Sequence, residues 1–252
     1  MSAGRGDEPG AGGVELTDEQ IVAALLNAYR QGVFPMGDTQ TGAVQFYRPD
    51  VRGLIPLEET GDGSRPVFHV PRTVEKLIRQ GRFELRFDTA FEQVVRACAE
   101  PRPPSTEDHL GEAEPGTWIN ETIIDWYTLL HRQGHAHSVE AWVTAYSGAG
   151  VRESRLVGGI YGVCLGAAFF GESMFHVPLA RRADGTRDPF DGTGAGQVCL
   201  VALVRRLRAL GFVLFDAQMT TAATRRFGAF EVPLIEYLKM LGPAVGAGER
   251  WG

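Results

Sequence analysis

Leu156-Val-Gly-Gly-Ile-Tyr-Gly-Val-Cys-Leu-Gly-Ala-Ala-Phe-Phe-Gly-Glu-Ser-Met-Phe-His176 decides how this chain is read. Small and β-forming residues on either side of Gly166 predict two buried strands, over 156–163 and 166–175, joined by a tight turn. Glu172 breaks the apolar run of the second strand. A carboxylate among Phe169, Phe170, Met174 and Phe175 is costly without a partner. Two readings are open at this point, a pocket organised around Glu172 and a structural carboxylate bonded to loop backbone.

Working outward, Ser138 to Thr144 alternates as a further strand, and the short connections imply antiparallel pairing with the two strands above. Phe212 to Gln218 reads as another strand, in which a spacing of two puts Leu214, Asp216 and Gln218 on one face and Val213 and Phe215 on the other. Asp216, Gln218 and Glu172 are then three polar side chains on strands expected to be neighbours, which constitutes a site hypothesis. Thr17 and Gln20 form a capping box ahead of Ile21, Ala24, Leu25 and Ala28, and Gly32 supplies the stop, so a helix is predicted over 18–31, with a turn at Val33 to Met36. Further helices are predicted over 71–80, 89–99, 119–133, 197–210 and 220–227, and a strand over 83–87. The fold class is α/β (α+β), a mixed, largely antiparallel sheet of the kind found in acyl-transferring GNAT folds. The expected organisation is a disordered tail at 1–15, a small N-terminal domain at 16–66, a GNAT-like catalytic domain at 67–242 and a C-terminal tail at 243–252.

The chain has 252 residues, 44% of them hydrophobic, enough for one substantial core or for a main domain and a small one. No run approaches the roughly 18 apolar residues of a membrane span. Met1 to Gly13 is Gly-rich and acidic rather than basic and then apolar, so a cytoplasmic protein is expected. Cys98, Cys164 and Cys199 are odd in number and lie in apolar sequence, which favours reduced, buried thiols over disulfides or a metal site. A net charge of −6 argues against nonspecific nucleic-acid binding. The charge is uneven, however: Arg72, Lys76 and Arg79 follow i, i+4, i+7 spacing and Arg82 comes next, a basic stripe that suits a solvated helix face or phosphate contact.

Two other patterns carry less weight. His131, His135 and His137 lack a Cys or carboxylate at a familiar metal spacing, so no metal is expected. Asp191-Gly-Thr-Gly-Ala-Gly196 before a helix is similar to a pyrophosphate-holding glycine loop, although without the usual first Gln or Arg.

Leu25 to Met36, Tyr47-Arg-Pro-Asp50, Phe68-His-Val70, Arg82 to Phe91, Gly116-Thr-Trp-Ile119, Gly134 to Glu140, the 156–175 segment, Asp216-Ala-Gln218 and Gly228-Ala229 occur in the order seen in leucyl/phenylalanyl-tRNA-protein transferases. The chain resembles that family over about residues 20–241. The resemblance implies a bacterial cytoplasmic enzyme of the N-degron pathway that takes leucine or phenylalanine from aminoacyl-tRNA and joins it to proteins with an N-terminal Arg or Lys. It implies no metal or small cofactor, because the ester linking amino acid to tRNA is already activated. A neutral α-amine, with a pKa of about 7.7–8.0, attacks that ester.

By the same resemblance Gln218 orients or relays the proton, Asp216 polarises Gln218 or draws the cationic acceptor, and Glu172 fixes the network. Trp118 matches the position that stacks on the terminal adenine. Ile160, Phe169, Ser173, Met174 and Leu203 are placed at the pocket for an unbranched-at-β apolar side chain, although packing in the core explains Ile160, Phe169, Met174 and Leu203 as well. Arg72, Lys76, Arg79 and Arg82 are assigned to tRNA, and the protein is expected to be a monomer. The family's Ser-Lys helix start is replaced by a longer loop and Gly196-Gln197, its later His by Ala223, and its paired Trp by Phe46-Tyr47. These changes bear on tRNA docking and acceptor choice. An acyl-CoA-dependent relative and a noncatalytic binder of N-degrons or tRNA ends are the alternatives.

Overall fold

The computed structural model describes residues 16–58, 63, 65–101, 117–146, 150–178 and 185–251. The expected tail at 1–15, most of the acidic loop at 100–117 and part of the loop at 177–196 lie outside the described residues.

Helix α1, Asp18–Arg30, begins at the expected capping box: Thr17 Oγ1 accepts from the Gln20 amide at 3.3 Å, and the Gln20 side chain accepts from the Thr17 amide at 2.9 Å. Gly32, at φ +71°, turns the chain out of the helix. Val33 to Met36, predicted as a turn, instead leads into strand β1, Phe34–Gly37, which forms a two-stranded antiparallel hairpin with β2, Val44–Tyr47. Phe34 pairs with Tyr47 at the open end of this hairpin, an aromatic cross-strand pair, and the turn falls later, at Asp38 to Ala43.

The remaining strands are β3 (Val51–Leu54), β4 (Glu84–Phe87), β5 (Ala136–Tyr146), β6 (Arg152–Leu165), β7 (Ala168–His176), β8 (Leu214–Gln218) and β9 (Phe230–Pro233). They form one mixed seven-stranded sheet in the order β4-β5-β6-β7-β8-β3-β9. From β4 to β7 every pair is antiparallel, as the short β5–β6 and β6–β7 connections require for those two pairs, whereas β7 and β8 are parallel with helix α5, Ala195–Ala209, crossing between them; the short helix α6, Ala222–Arg225, follows β8. The C-terminal half of β6 is buried without alternation, the pattern of a strand covered on both faces.

Those covers are two apolar layers. On one face lie α1, α3 (Phe91–Ala99), α4 (Glu121–Arg132) and α7 (Leu234–Val245), with Leu25, Val94, Ile123 and Leu241 packed around Tyr161 and Phe170. On the other face α5 and α2 (Arg72–Arg79) bring Leu200, Leu203 and Val74 against Ile160, Phe169 and Phe215. The alternation of β7 and β8 separates the two layers: Phe170 and Leu214 face the first, Phe169 and Phe215 the second.

The described residues between 16 and 58 share the core of the rest of the molecule, since α1 packs in the first layer and β3 lies between β8 and β9. Residues 243–245 complete α7 through Pro243 to Val245, and Trp251 packs back on His137 at 4.4 Å between ring centres and on Phe169 at 6.0 Å. Cys98, Cys164 and Cys199 are all buried, and none is joined in a disulfide.

Candidate active site

The parallel pair β7–β8 is short. Ala168, Phe169 and Phe170 pair with Leu214, Phe215 and Asp216, and beyond that point no pairing joins the two strands among the described residues. The sheet therefore opens between the C-terminal half of β7 and the end of β8. Each strand carries an irregularity at the opening. On β7 the register passes from Tyr161↔Ser173 to Gly162↔Gly171, which leaves Glu172 as the extra residue of a β-bulge. On β8 the register with β3 passes from Gly53↔Gln218 to Leu54↔Asp216, which leaves Ala217 extra. A bulge re-aims side chains that strict alternation would send elsewhere. Glu172 turns toward the α1/α4 layer, the same side as Tyr161, which stands opposite Ser173.

There it meets two buried phenols. Tyr29, on the apolar face of α1, donates to Glu172 Oε1 at 2.8 Å, and Tyr127, on α4, donates to Oε2 at 2.9 Å. The two phenol oxygens are themselves 2.8 Å apart, and Gln218 Nε2 reaches Glu172 Oε1 at 3.2 Å. Three oxygen–oxygen contacts within the Glu172–Tyr29–Tyr127 triangle call for three protons, and two phenols supply two. When the carboxyl is protonated it supplies the third, donating to one phenol, which is then free to donate to the other. In agreement with that count, burial pushes the Glu172 carboxyl up to about 7 against the restraining effect of the tyrosine hydrogen bonds, with the Asp216 charge raising it further and Arg52 lowering it.

Asp216, two residues before Gln218, is fully buried. Arg52 Nε lies 2.9 Å from both of its oxygens, Arg52 Nη2 donates to Oδ2 at 2.8 Å, and the Tyr237 hydroxyl donates to Oδ2 at 2.5 Å. The Gln218 amide donates to Oδ1 at 2.8 Å. This carboxylate is saturated by the protein, so it has no face to offer a cationic acceptor; what it holds is the backbone of Gln218, which sits at φ +55°. The Arg52 guanidinium lies between the rings of Phe34 and Tyr237, 4.9 and 4.8 Å from their centres, and Nη1 donates to the Gly32 carbonyl at 3.1 Å. Losing one member of such a buried pair leaves the other uncompensated, at a cost of about 3–5 kcal/mol.

The structure thus joins Glu172 and Gln218 directly, with Asp216 behind Gln218. Trp118 is half-buried and meets the Tyr127 ring edge-on at 6.5 Å, on the same side of the sheet. Ile160, Phe169, Met174 and Leu203 lie on the α5 side, where Ile160 pairs with Met174; Phe169 and Leu203 are closed into the core, while Met174 is partly exposed. Ser173 is partly exposed at the opening. Arg72, Lys76 and Arg79 are all exposed on α2. Arg82 is not free in the same way, since it forms an ion pair with Asp191 at 3.3 Å and bonds the Asp191 carbonyl.

Four residues of this site escape a reading by motif: Tyr29, Tyr127, Arg52 and Tyr237. A signal for each of them is present in the sequence. A phenol on the apolar stripe of an amphipathic helix must find a polar partner inside, and an arginine within a short β segment must find an acid.

Two rival arrangements can be set beside it. At the start of α5, the Thr193 amide is bonded to Asp191 Oδ1 at 2.8 Å and the Ala195 amide to the Gly192 carbonyl at 2.8 Å, with the buried Asp191 carboxylate alongside. Amides already engaged beside an anion do not cradle a pyrophosphate. Asp88, His131 and His137 bring ligand-type atoms within 4.8 Å of one another. His137 is bonded to Asp88 at 2.9 Å and to the Gly134 carbonyl at 3.1 Å, His131 to the Ala136 carbonyl at 2.8 Å, and the Trp251 indole donates to Asp88 at 3.1 Å. The cluster fastens the C-terminal residues to β5.

Comparison with known proteins identifies a family. Residues 65–242 match the family model for leucyl/phenylalanyl-tRNA protein transferase, and residues 22–50 match the model for that family's N-terminal domain. A leucyl/phenylalanyl-tRNA–protein transferase from Akkermansia muciniphila is 41% identical over 230 residues, covering 91% of this chain and 98% of the relative. Matches that run through both models and nearly the whole of a relative have one conclusion: the chain belongs to the leucyl/phenylalanyl-tRNA–protein transferase family of aminoacyltransferases.

Proposed function

We propose that the mouth between β7 and β8 transfers Leu or Phe from aminoacyl-tRNA to the N-terminal α-amine of proteins beginning with Arg or Lys, marking them for N-degron degradation. The reading is carried by one observation, the direct contact of Gln218 with Glu172 where the two strands part. The amine nitrogen attacks the ester carbonyl, a C–N bond forms, the C–O bond to the tRNA ribose breaks, the nitrogen sheds a proton and the leaving oxygen gains one. Gln218 orients the amine. Glu172, poised at about 7, is matched to both halves of that proton exchange near neutral pH. Asp216 acts behind Gln218 by holding its backbone.

Trp118 offers a flat aromatic face beside Tyr127 for the terminal adenine, a contact worth about 1–3 kcal/mol. The apolar side chain of the donor enters the gap on the α5 side, against Met174, with Ile160, Phe169 and Leu203 behind it and Ser173 at the rim. Shape selects there, since the lining is apolar. The exposed Arg72, Lys76 and Arg79 of α2 take tRNA phosphates, and Arg82 fixes the end of that helix by its bond to Asp191. The ester supplies its own activation, so the reading includes no cofactor or metal. No described helix is long and apolar enough to cross a membrane. A monomeric, cytoplasmic enzyme fits this reading.

Transfer of labelled leucine and phenylalanine from charged tRNA to peptides beginning with Arg, Lys, Asp or Ala tests it. Product on Arg and Lys alone, formed far more slowly by Gln218→Ala, is the expected result. Product on another N-terminus would overturn the acceptor assignment, and no product from either charged tRNA would overturn the donor.

A further inference from the structure

Two of the groups that meet at Glu172 come from opposite ends of the chain. Tyr29 arrives on α1 and Gln218 at the end of β8, and both bond the same carboxylate oxygen, Oε1, at 2.8 and 3.2 Å. The separation between their supports is therefore a quantity the reaction depends on. One side chain spans those supports. Arg52 donates from Nη1 to the carbonyl of Gly32, three residues beyond Tyr29, and from Nε and Nη2 to Asp216, which in turn receives the amide of Gln218. It is fully buried, as is Asp216, and its guanidinium carbon lies 4.9 and 4.8 Å from the ring centres of Phe34 and Tyr237. Gln218 needs such a restraint, because φ +55° is a conformation that a non-glycine residue adopts only when its surroundings impose it.

We infer that Arg52 is a positioning residue for the transfer reaction: by tying the C-terminal end of α1 to Asp216 it sets where Tyr29 and Gln218 meet on Glu172. The inference rests on the proposed function, in which Glu172 and Gln218 face the reacting groups. A lysine at position 52 keeps the positive charge but is a point donor without the planar fork that bonds Asp216 and Gly32 together.

The test is a double-mutant cycle in the full-length protein, following transfer of labelled leucine from charged tRNA to a peptide beginning with Arg. kcat and KM for aminoacyl-tRNA are compared in the unaltered protein, Arg52→Lys, Gln218→Ala and the double variant. The expected result is a kcat about ten-fold lower or more in Arg52→Lys, with KM within about three-fold, since a misplacement of ~1 Å can cost about 100-fold. In the Gln218→Ala background the same change costs less than about two-fold, because the residue through which Arg52 acts is already gone. Tyr237→Phe, which removes one bond to Asp216 and little volume, repeats the cycle if Arg52→Lys does not fold, with a smaller loss of the same non-additive kind. An unaltered kcat in the folded position-52 or position-237 variant, or an equal loss in both backgrounds, overturns the inference and leaves those residues a structural role alone. The two failures are distinguishable. Full activity of Gln218→Ala overturns the proposed catalytic strand and the role of Arg52 with it, whereas an impaired Gln218→Ala beside a fully active Arg52→Lys overturns the positioning role only.

Discussion

Replacing Glu172 by Gln should make this protein more stable while abolishing transfer. The carboxyl has an ordinary value of 4.5 and is held at about 7 in the fold, chiefly by burial. A raised value means that the protonated form is the one the fold favours. The contribution of Glu172 to stability is therefore intact below about 4.5 and is lost as pH rises through 7. At about 1.36 kcal/mol for each pH unit between the two values, the folded state stands about 3 kcal/mol worse at pH 8 than a neutral side chain would leave it. That difference shrinks to about 2 kcal/mol at pH 6 and to under about 1 kcal/mol at pH 5. Glutamine keeps the shape and stays neutral: its carbonyl can accept from Tyr29 and its amide can donate to the Tyr127 oxygen, so the triangle remains bonded. Urea unfolding at pH 8 should give a gain of about 3 kcal/mol, or roughly 6–12 °C in Tm for a chain of this size. The same pair of proteins at pH 5 should differ little. Equal or lower stability of Glu172→Gln at pH 8, or a gain independent of pH, would refute the reasoning.

Three further outcomes follow from the same geometry. Tyr127→Phe removes a donor from Glu172 Oε2, so the Glu172 midpoint should rise above 7 and the pH profile of the transfer rate should move up by about one unit, as a charge-assisted bond of about 1.5–3 kcal/mol requires; an unmoved profile would detach Glu172 from the rate. Asp191 is held down at about 2: burial raises it, but the bonds from Thr193, Arg187 and Arg82 outweigh that. Its contribution is present above the usual carboxylate range and is lost as pH falls toward 2, so Asp191→Ala should cost about 3 kcal/mol at pH 7 by urea unfolding, with the gap closing in acid. Gly162→Ala would place a methyl carbon 2.1 Å from the Phe170 carbonyl oxygen and 2.6 Å from the Phe169 ring, next to the bulge, and should destabilise by about 3 kcal/mol in the same assay; a neutral effect would mean that β6 and β7 can separate there without strain.

The elements that build the sheet were legible because each rests on a local signal. The capping box at Thr17, the glycine-punctuated run over 156–175 and the alternation of 212–218 needed no tertiary information, and they correspond to α1, β6, β7 and β8. Glu172, Asp216 and Gln218 were legible for the related reason that polar groups stand out in strands. The geometry around them was not. Alternation alone cannot reveal the bulges at Glu172 and Ala217, because a bulge is a property of the pairing between two strands and not of either sequence. Nor can any window of sequence show that Arg52 answers Asp216, 164 residues away. The cation that stands beside Asp216 is one already built into β3.

The placement of β3 between β8 and β9 also fixes the order in which the molecule can come into being. A ribosome adding about 5–20 residues per second needs about 8–33 s to pass from Arg52 to Asp216, and longer to reach β9 and Tyr237. During that interval β3 has no partner, and Glu172, when it emerges, has neither Asp216 nor Gln218 behind it. A partly synthesised chain therefore has no transfer site to expose to the charged tRNAs that crowd its own ribosome. Once β8 and β9 do emerge, they must leave room for an older strand to enter between them, and direct pairing of those two strands is the misfolded state against which this topology has to compete.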